Sequence, residues 1–338
     1  MALLFMDSFD HSGTVSSSHA TKYGVSNSLT VTSSTVRTGT GALQLASSFD
    51  GTTKPLPASG GFVVGLALRL AAAPSSLNPL IEVREGTTVH LAVYADTSSR
   101  LLVRQGSGTT LATGTTVLVL NNWYYLEFKG TIHDTTGSYA LRIDGVAEVS
   151  GSGVDTRNGG TTGQWDRVRI AGLTSSTSTF LDDFYVCDQS GAAPTNDFLG
   201  VIKIECVLPQ TGNGTNVGLT PSTGTDHGAL VDENPPNTTD YNASATVGAK
   251  DTYNLPSLAL TGAILGIQTN LYVGKSDTAA RSVCAVVRTG GADFDGASVS
   301  PGTTFGYFSE ARALNPATGL AWTTADFDAL EAGMKVTA

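Results

Sequence analysis

The sequence predicts an all-β chain of two β-sandwich domains, with one short helix near the C-terminus. Three observations predict it. Apolar and polar residues alternate in many short runs, the period of a half-buried strand. Turn-forming residues interrupt those runs throughout, 39 of them glycine. Charged residues are 14% of the 338 against 40% hydrophobic, so cores can be filled while Ser, Thr, Gly and Asn supply the turns. Disorder would need low hydrophobicity together with high charge.

Along the chain, GFVVGLALRL puts Phe62, Val64, Leu66, Leu68 and Leu70 on one face and Val63, Gly65, Ala67 and Arg69 on the other. TVHLAVYAD alternates Val89, Leu91 and Val93 with His90, Ala92 and Tyr94. In NNWYYLEFKG, Tyr124, Leu126 and Phe128 make the better core face, because the set Trp123, Tyr125, Glu127, Lys129 ends in charges. YALRIDGVAEVSG holds Asp144-Gly145 between two β-prone arms; both residues tolerate positive φ, as a type I′ hairpin requires. Further strands are predicted at 166–170 and 180–187. A small polar stretch with Pro194 at 189–197 divides the chain into domains 1–189 and 190–338.

In the second domain, strand texture resumes at FLGVIKIECVLP. The polar stretch 210–249 is too long for a structureless loop in a compact domain, so short strands are expected in it, one near 227–232. Later strands are expected at 263–273, 282–289 and 304–311. TTADFDALEAG is the one helix: Thr323 or Thr324 caps it, Phe327 and Leu330 share a face, and Gly333 ends it.

A net charge of −10 gains nothing from phosphate counterion release, so nucleic acid is not an expected partner. No apolar run reaches membrane-span length, so no membrane insertion is expected. MALLFMDSFD is too short and lacks the basic flank for a secretory signal. Cys187, Cys206 and Cys284 are odd in number, widely spaced and without CxxC. Free thiols are expected, Cys187 and Cys284 buried on strands, which suits a reducing cytosol.

MDSFDH, TGTGALQL, the NNWYYLEFKG and YALRIDGVAEVSG pair, and FLDDFYVCD occur in the order found in the concanavalin A-like, laminin-G-like jelly-roll family, which residues 1–188 resemble. Residues 196–338 resemble a domain of tailed-bacteriophage structural proteins, through DFLGVIKIECVLP, VDENPPNTTDYNAS, KDTYNLPSL, RSVCAVVRTGG and NPATGLAWTTADFDALEAGMKV. The resemblance implies a virion component, in tail, neck or head decoration, assembled in the host cytoplasm. Its partners would be other virion proteins and copies of itself, with a host-surface glycan as a further partner. The second domain would serve attachment or oligomerisation, and its Tyr241, Tyr272, Tyr307 and Trp322 suit an interface, though Trp322 suits that domain's own core better. A tail-fibre adhesin that binds host glycan is the alternative reading, and a polysaccharide depolymerase the third.

The chain is expected not to be an enzyme, and no catalytic, cofactor-binding or metal residue is assigned. Jelly-roll glucanases carry E-x-D-x-E on one strand, so that one carboxylate attacks while another protonates. Here Glu82 and Glu85 fall on opposite faces, as do Asp182 and Asp183. Asp293 and Asp295 lie on one side of a turn and offer a cation two carboxylates; an Asp-rich turn explains them as well, and Asp7 and Asp10 are a weaker pair of the same kind. His11, His19, His90, His133 and His227 are scattered, and turn or surface roles are expected. Gly274-Lys275-Ser276 lacks the P-loop's first glycine, since Thr269 stands there. No G-x-S-x-G elbow occurs. Trp123, Tyr125, Trp165, Tyr94 and Tyr139 could stack on sugars, but strands and cores enrich the same residues.

Overall fold

The computed structural model describes residues 3–12, 21–27, 29–47, 50–173, 179–258 and 262–338. It is nearly all β and divides into two compact units, before and after the Glu205–Cys206 bond.

The strands of the first unit are β1 (Leu3–Asp7), β2 (Val25–Asn27), β3 (Leu29–Thr32), β4 (Ala42–Leu45), β5 (Gly51–Ser59), β6 (Gly61–Leu70), β7 (Asn78–Glu85) and β8 (Thr88–Ala95). They continue as β9 (Arg100–Gln105), β10 (Thr109–Val117), β11 (Trp123–Thr131), β12 (Gly137–Ile143), β13 (Val146–Val154), β14 (Trp165–Ala171) and β15 (Thr179–Cys187). Among the described residues they form two antiparallel sheets. One has the order β13-β12-β11-β6-β15-β4-β3, with β1 also on β15; the other is β10-β9-β8-β7-β14-β5-β2.

Period two sends alternate side chains between the sheets. Phe62, Val64, Leu66, Leu68, Leu70, Leu126 and Phe128 from the first sheet meet Ile81, Val83, Leu91, Val93, Val168 and Ile170 from the second. Each such side chain contributes about 1.5–3 kcal/mol on burial. Trp165 is wholly buried, edge-on to Phe62, and its indole N–H donates to the Gly61 carbonyl at 2.8 Å. The Asp144-Gly145 turn has φ of 51° and 79°, the predicted type I′ signature. One assignment differs. Val89 leaves the Leu91–Val93 face and joins Ala92, Tyr94 and Leu102, because pairing skips from Val83↔Leu91 to Arg84↔Val89 and makes His90 a bulge residue.

Residues 198–209 form no strand. Their first part lies along the outer face of the eight-stranded sheet instead. Gly200 N donates to Glu127 Oε1 at 2.8 Å, Leu199 N to Tyr185 Oη at 3.3 Å, and Ile204 N to Asp183 Oδ1 at 2.7 Å. Side chains of the sheet take the backbone bonds that a ladder would have taken.

The second unit has β16 (Thr220–Pro221), β17 (Asn242–Ala243), β18 (Lys250–Asn254), β19 (Ile267–Val273), β20 (Val283–Thr289), β21 (Ala292–Asp295), β22 (Gly306–Arg312), α1 (Thr324–Asp328) and β23 (Glu331–Val336). Its main sheet is β18-β23-β20-β21, and β19 pairs with β22. Ile267 packs with Val287, Trp322, Phe327 and Leu330, and Leu271 with Val283 and Ala285. Thr323 caps α1 in a capping box with Asp326. Gly333 does not end the helix; it lies in β23, where an added Cβ would come within 1.9 Å of the Asp251 carbonyl oxygen. Of the strands expected in 210–249, only the two-residue pair β16–β17 forms, and 228–230 is a 3-10 turn. Side chains hold this stretch: Asp226 accepts from Gly212 N, Asp251 from Gly218 N and Leu219 N, and Glu331 from Thr215 N.

Candidate functional site

With Ile81, Val83, Leu91, Val93, Val103, Val168 and Ile170 turned inward, alternation puts Glu82, Arg84, Ala92, Tyr94, Leu102, Arg104, Arg167 and Arg169 on the other face of the seven-stranded sheet. Register sets Arg104, Ala92, Glu82 and Arg169 abreast on β9, β8, β7 and β14, and Arg84 beside Arg167.

Glu82 Oε2 accepts from Arg84 Nη2 at 2.5 Å and from Arg169 Nη1 at 2.9 Å. Its side chain is 6% exposed, and those of the arginines are 22% and 18% exposed. Arg167 donates to both oxygens of Asp166, at 2.8 and 3.1 Å. Arg104 donates to the Gly108 carbonyl at 2.6 Å, and its guanidinium carbon lies 4.8 Å from the centre of the Tyr94 ring. Four guanidinium groups thus face two carboxylates, leaving two positive charges uncompensated. The Nε atoms of Arg84 and Arg104 are buried without a hydrogen-bond partner among the described residues. Burial raises the Tyr94 phenol above its ordinary pKa and Glu82 adds to this, while Arg104, Arg84 and Arg169 pull the other way. The arrangement is a half-buried face of guanidinium groups, a chemistry that suits carboxylates.

On the other sheet the outer face is covered around Tyr125, Glu127, Asp182, Asp183 and Tyr185. Asp182 and Asp183 do not alternate faces as expected: Asp183 has φ 50°, and the pairing of β15 with β6 breaks between Asp182 and Tyr185. This bulge turns both carboxylates to the loop at Arg37. Asp182 Oδ2 accepts from Arg37 N at 2.9 Å and Thr38 N at 3.3 Å, and Asp183 pairs with the Arg37 guanidinium and accepts from Thr38 Oγ1. Burial, then the Asp183 charge, pushes Asp182 up to about 7. Both aspartates are fully buried.

The remaining sequence-derived residues hold structure. Asp293 is on strand β21, not in an open turn, and is bonded by Lys250, Arg288 and Asn216; Asp295 is bonded by Lys335. Burial opposes the Asp293 charge, but those hydrogen bonds outweigh it and bring its pKa to about 2. Asp7 accepts from Tyr23 and lies by Lys22, and Asp10 accepts from Thr40 N and Gly41 N. Among the described residues no group of three or more His, Cys, Asp or Glu is placed to hold a metal ion. Glu82 and Glu85 serve separate networks, Glu85 taking Thr161 N, Thr162 N and His90. His11, His90 and His227 are buried rather than at the surface, the last with Nδ1 2.6 Å from Asp251; His133 sits in a turn, and His19 lies outside the described residues. Lys275 donates to the Ala279 carbonyl. Cys187 and Cys284 are buried strand residues, as expected.

Four of the five aromatics that could stack on sugars are not available as such, and the fifth, Trp123, is half-buried at the start of β11. Trp165, Tyr125, Tyr94 and Tyr139 are buried, and Arg37 covers Tyr125 as Arg104 covers Tyr94. In the second unit Trp322 is a core residue and Tyr307 is buried, whereas Tyr241 is 45% exposed. The arginine face went unread in the sequence, although DRVRIA sets Arg167 and Arg169 two residues apart, on one side of a strand.

No known family profile matches this chain, and no curated protein matches it. Solved structures do. A sialidase of Trypanosoma rangeli is similar at 15% identity and TM-score 0.36, over 47% of this chain and 27% of the sialidase. The endo-β-1,4-glucuronan lyase of the fungus Trichoderma reesei is similar at 16% identity and TM-score 0.38, over 53% of this chain and 94% of the lyase. The alginate lyase Aly36B is similar at 10% identity and TM-score 0.40, over 54% and 96%. The expectation that the chain is not an enzyme is corrected by this finding, because these structures are all enzymes. That expectation rested on the missing E-x-D-x-E, whose absence bears on one carboxylate-pair chemistry alone. At such identities and TM-scores the likeness brings no reaction or substrate to this chain.

Proposed function

We propose that this chain is a glycan-binding attachment protein of a tailed-phage particle, which presents the outer face of its seven-stranded sheet to a host-surface glycan. The observation that carries this reading is the Arg84, Arg104, Arg169 and Tyr94 platform, set on four rigid adjacent strands and holding donors that the chain's own carboxylates do not use up. The particle setting rests on the resemblance of residues 196–338 to phage structural proteins. The test is an array of bacterial surface polysaccharides probed with the full chain. Binding that falls in Arg84→Gln and Arg169→Gln is the expected result. Binding that ignores both substitutions, or its absence from every glycan, overturns the reading. Reducing-end release in the same incubations decides whether a bound glycan is also cut.

A second reading, a structural component joined to other virion proteins and to copies of itself, is favoured by exposed apolar side chains on the first unit, with Val117 57%, Val119 58% and Val146 71% exposed. Oligomeric mass in solution, and binding to particles that lack this protein, test it.

A further inference from the structure

We infer that the arginine face takes a carboxylate-bearing polysaccharide, in preference to a neutral one; this rests on the glycan-binding reading above and names its ligand class. Neutral pyranoses are held largely by aromatic rings laid against their apolar faces. The one aromatic ring on this face among the described residues, Tyr94, is only 6% exposed and lies under Arg104. What the face offers is charge and N–H groups. Its two uncompensated positive charges sit on a chain of net charge −10, so the rest of the molecule opposes general adhesion of polyanions.

The face already holds one carboxylate in the way a ligand's would be held. Glu82 Oε2 lies between guanidinium groups from two strands, Arg84 of its own and Arg169 of the next. Arg104, further along the same row, has no carboxylate partner among the described residues: its Nη2 donates to a neutral carbonyl and its Nε is buried, which leaves the Nη edge of the guanidinium for a ligand. A planar fork of this kind matches a carboxylate in two parallel hydrogen bonds. Arg104 and Arg169 are three strand spacings apart, about 14 Å at about 4.8 Å per spacing. That row suits several sugars in a chain better than one acidic monosaccharide.

The experiment is calorimetric titration of the full chain with oligogalacturonate, its methyl ester, oligosialic acid, dextran sulfate and a DNA oligonucleotide. Methyl esterification removes the charge and keeps the sugar ring. The expected result is binding of at least one carboxylated oligomer, loss of binding on esterification, and about a tenfold fall in affinity for Arg104→Gln. Arg104→Lys keeps the charge without the fork and should fall in between; circular dichroism of both variants shows that the fold is kept. If the methyl ester binds as well as the acid, the carboxylate inference fails and the glycan reading stands. If dextran sulfate or DNA binds as tightly, the face is a general polyanion patch and the inference fails. If no carboxylated oligomer binds, it fails too, and failure on the polysaccharide array as well removes the parent reading.

Discussion

Asp182 and Asp183 are sequence neighbours whose carboxylates meet the same turn: Asp182 takes the backbone N–H of Arg37 at 2.9 Å, and Asp183 takes the Arg37 guanidinium. Strict alternation would have parted them. The left-handed backbone at Asp183 joins them, and the cost shows in Asp182, held at about 7 by burial and by the Asp183 charge.

This pair makes stability depend on pH. Between about pH 4 and 7 the folded state keeps the Asp182 proton that the unfolded chain releases, so stability falls as pH rises through that window and is level above it. Asp182→Asn should flatten the slope. It should also cost on the order of 1–3 kcal/mol, because an amide nitrogen then faces a backbone N–H. Urea melts from pH 4 to 8 check both.

Asp183→Ala acts elsewhere. It leaves the Arg37 guanidinium without its carboxylate and Ile204 N without its acceptor. A loss of about 3–5 kcal/mol is expected, with faster protease cleavage within 198–205. Cleavage at the wild-type rate would mean that Glu127 and Tyr185 hold the segment without it.

Asp293 has the opposite sign. Its pKa near 2 is set by bonds from Lys250, Arg288 and Asn216 working against burial. It stabilises the second unit above pH 4, and that contribution is lost as pH falls towards 2. Asp293→Asn should make acid unfolding of the second unit less steep, as read by Trp322 fluorescence.

Gly65→Ala tests the covered sheet face. An added Cβ would lie 2.0 Å from Tyr185 Cε1, and Tyr185 is pinned through its hydroxyl to Glu127 at 2.7 Å. A cost of about 1–3 kcal/mol or more is expected from thermal melts. Gly145→Ala strains only a left-handed turn residue and should cost about 1 kcal/mol.

Much of the fold was legible in local pattern. The core face of β6, the β12–β13 hairpin and the Thr323 cap each follow from period or turn chemistry within about a dozen residues. What local pattern misled on was settled by distant partners. The run 198–209 looks like a strand, yet its backbone bonds go to Glu127, Tyr185 and Asp183. Residues 210–249 were expected to need ladders, and Asp226, Asp251 and Glu331 replace them. The arginine face is contributed by two separate stretches of chain, Glu82 to Arg104 and Arg167 to Arg169, with no local mark of their meeting. Only strand order brings β14 beside β7.

The segment that crosses the eight-stranded sheet has a bearing on ancestry. Residues 197–204 belong to the first unit by their bonds, though in sequence they look like the start of the second. A recombination event that joined this β-sandwich to a new partner at residue 189 would take one hydrogen-bond partner each from Glu127, Asp183 and Tyr185 at once. Exchange of modules is therefore expected at junctions after Glu205, and homologues that share the first unit with unrelated C-terminal regions should still carry the DFLGVIKIE stretch.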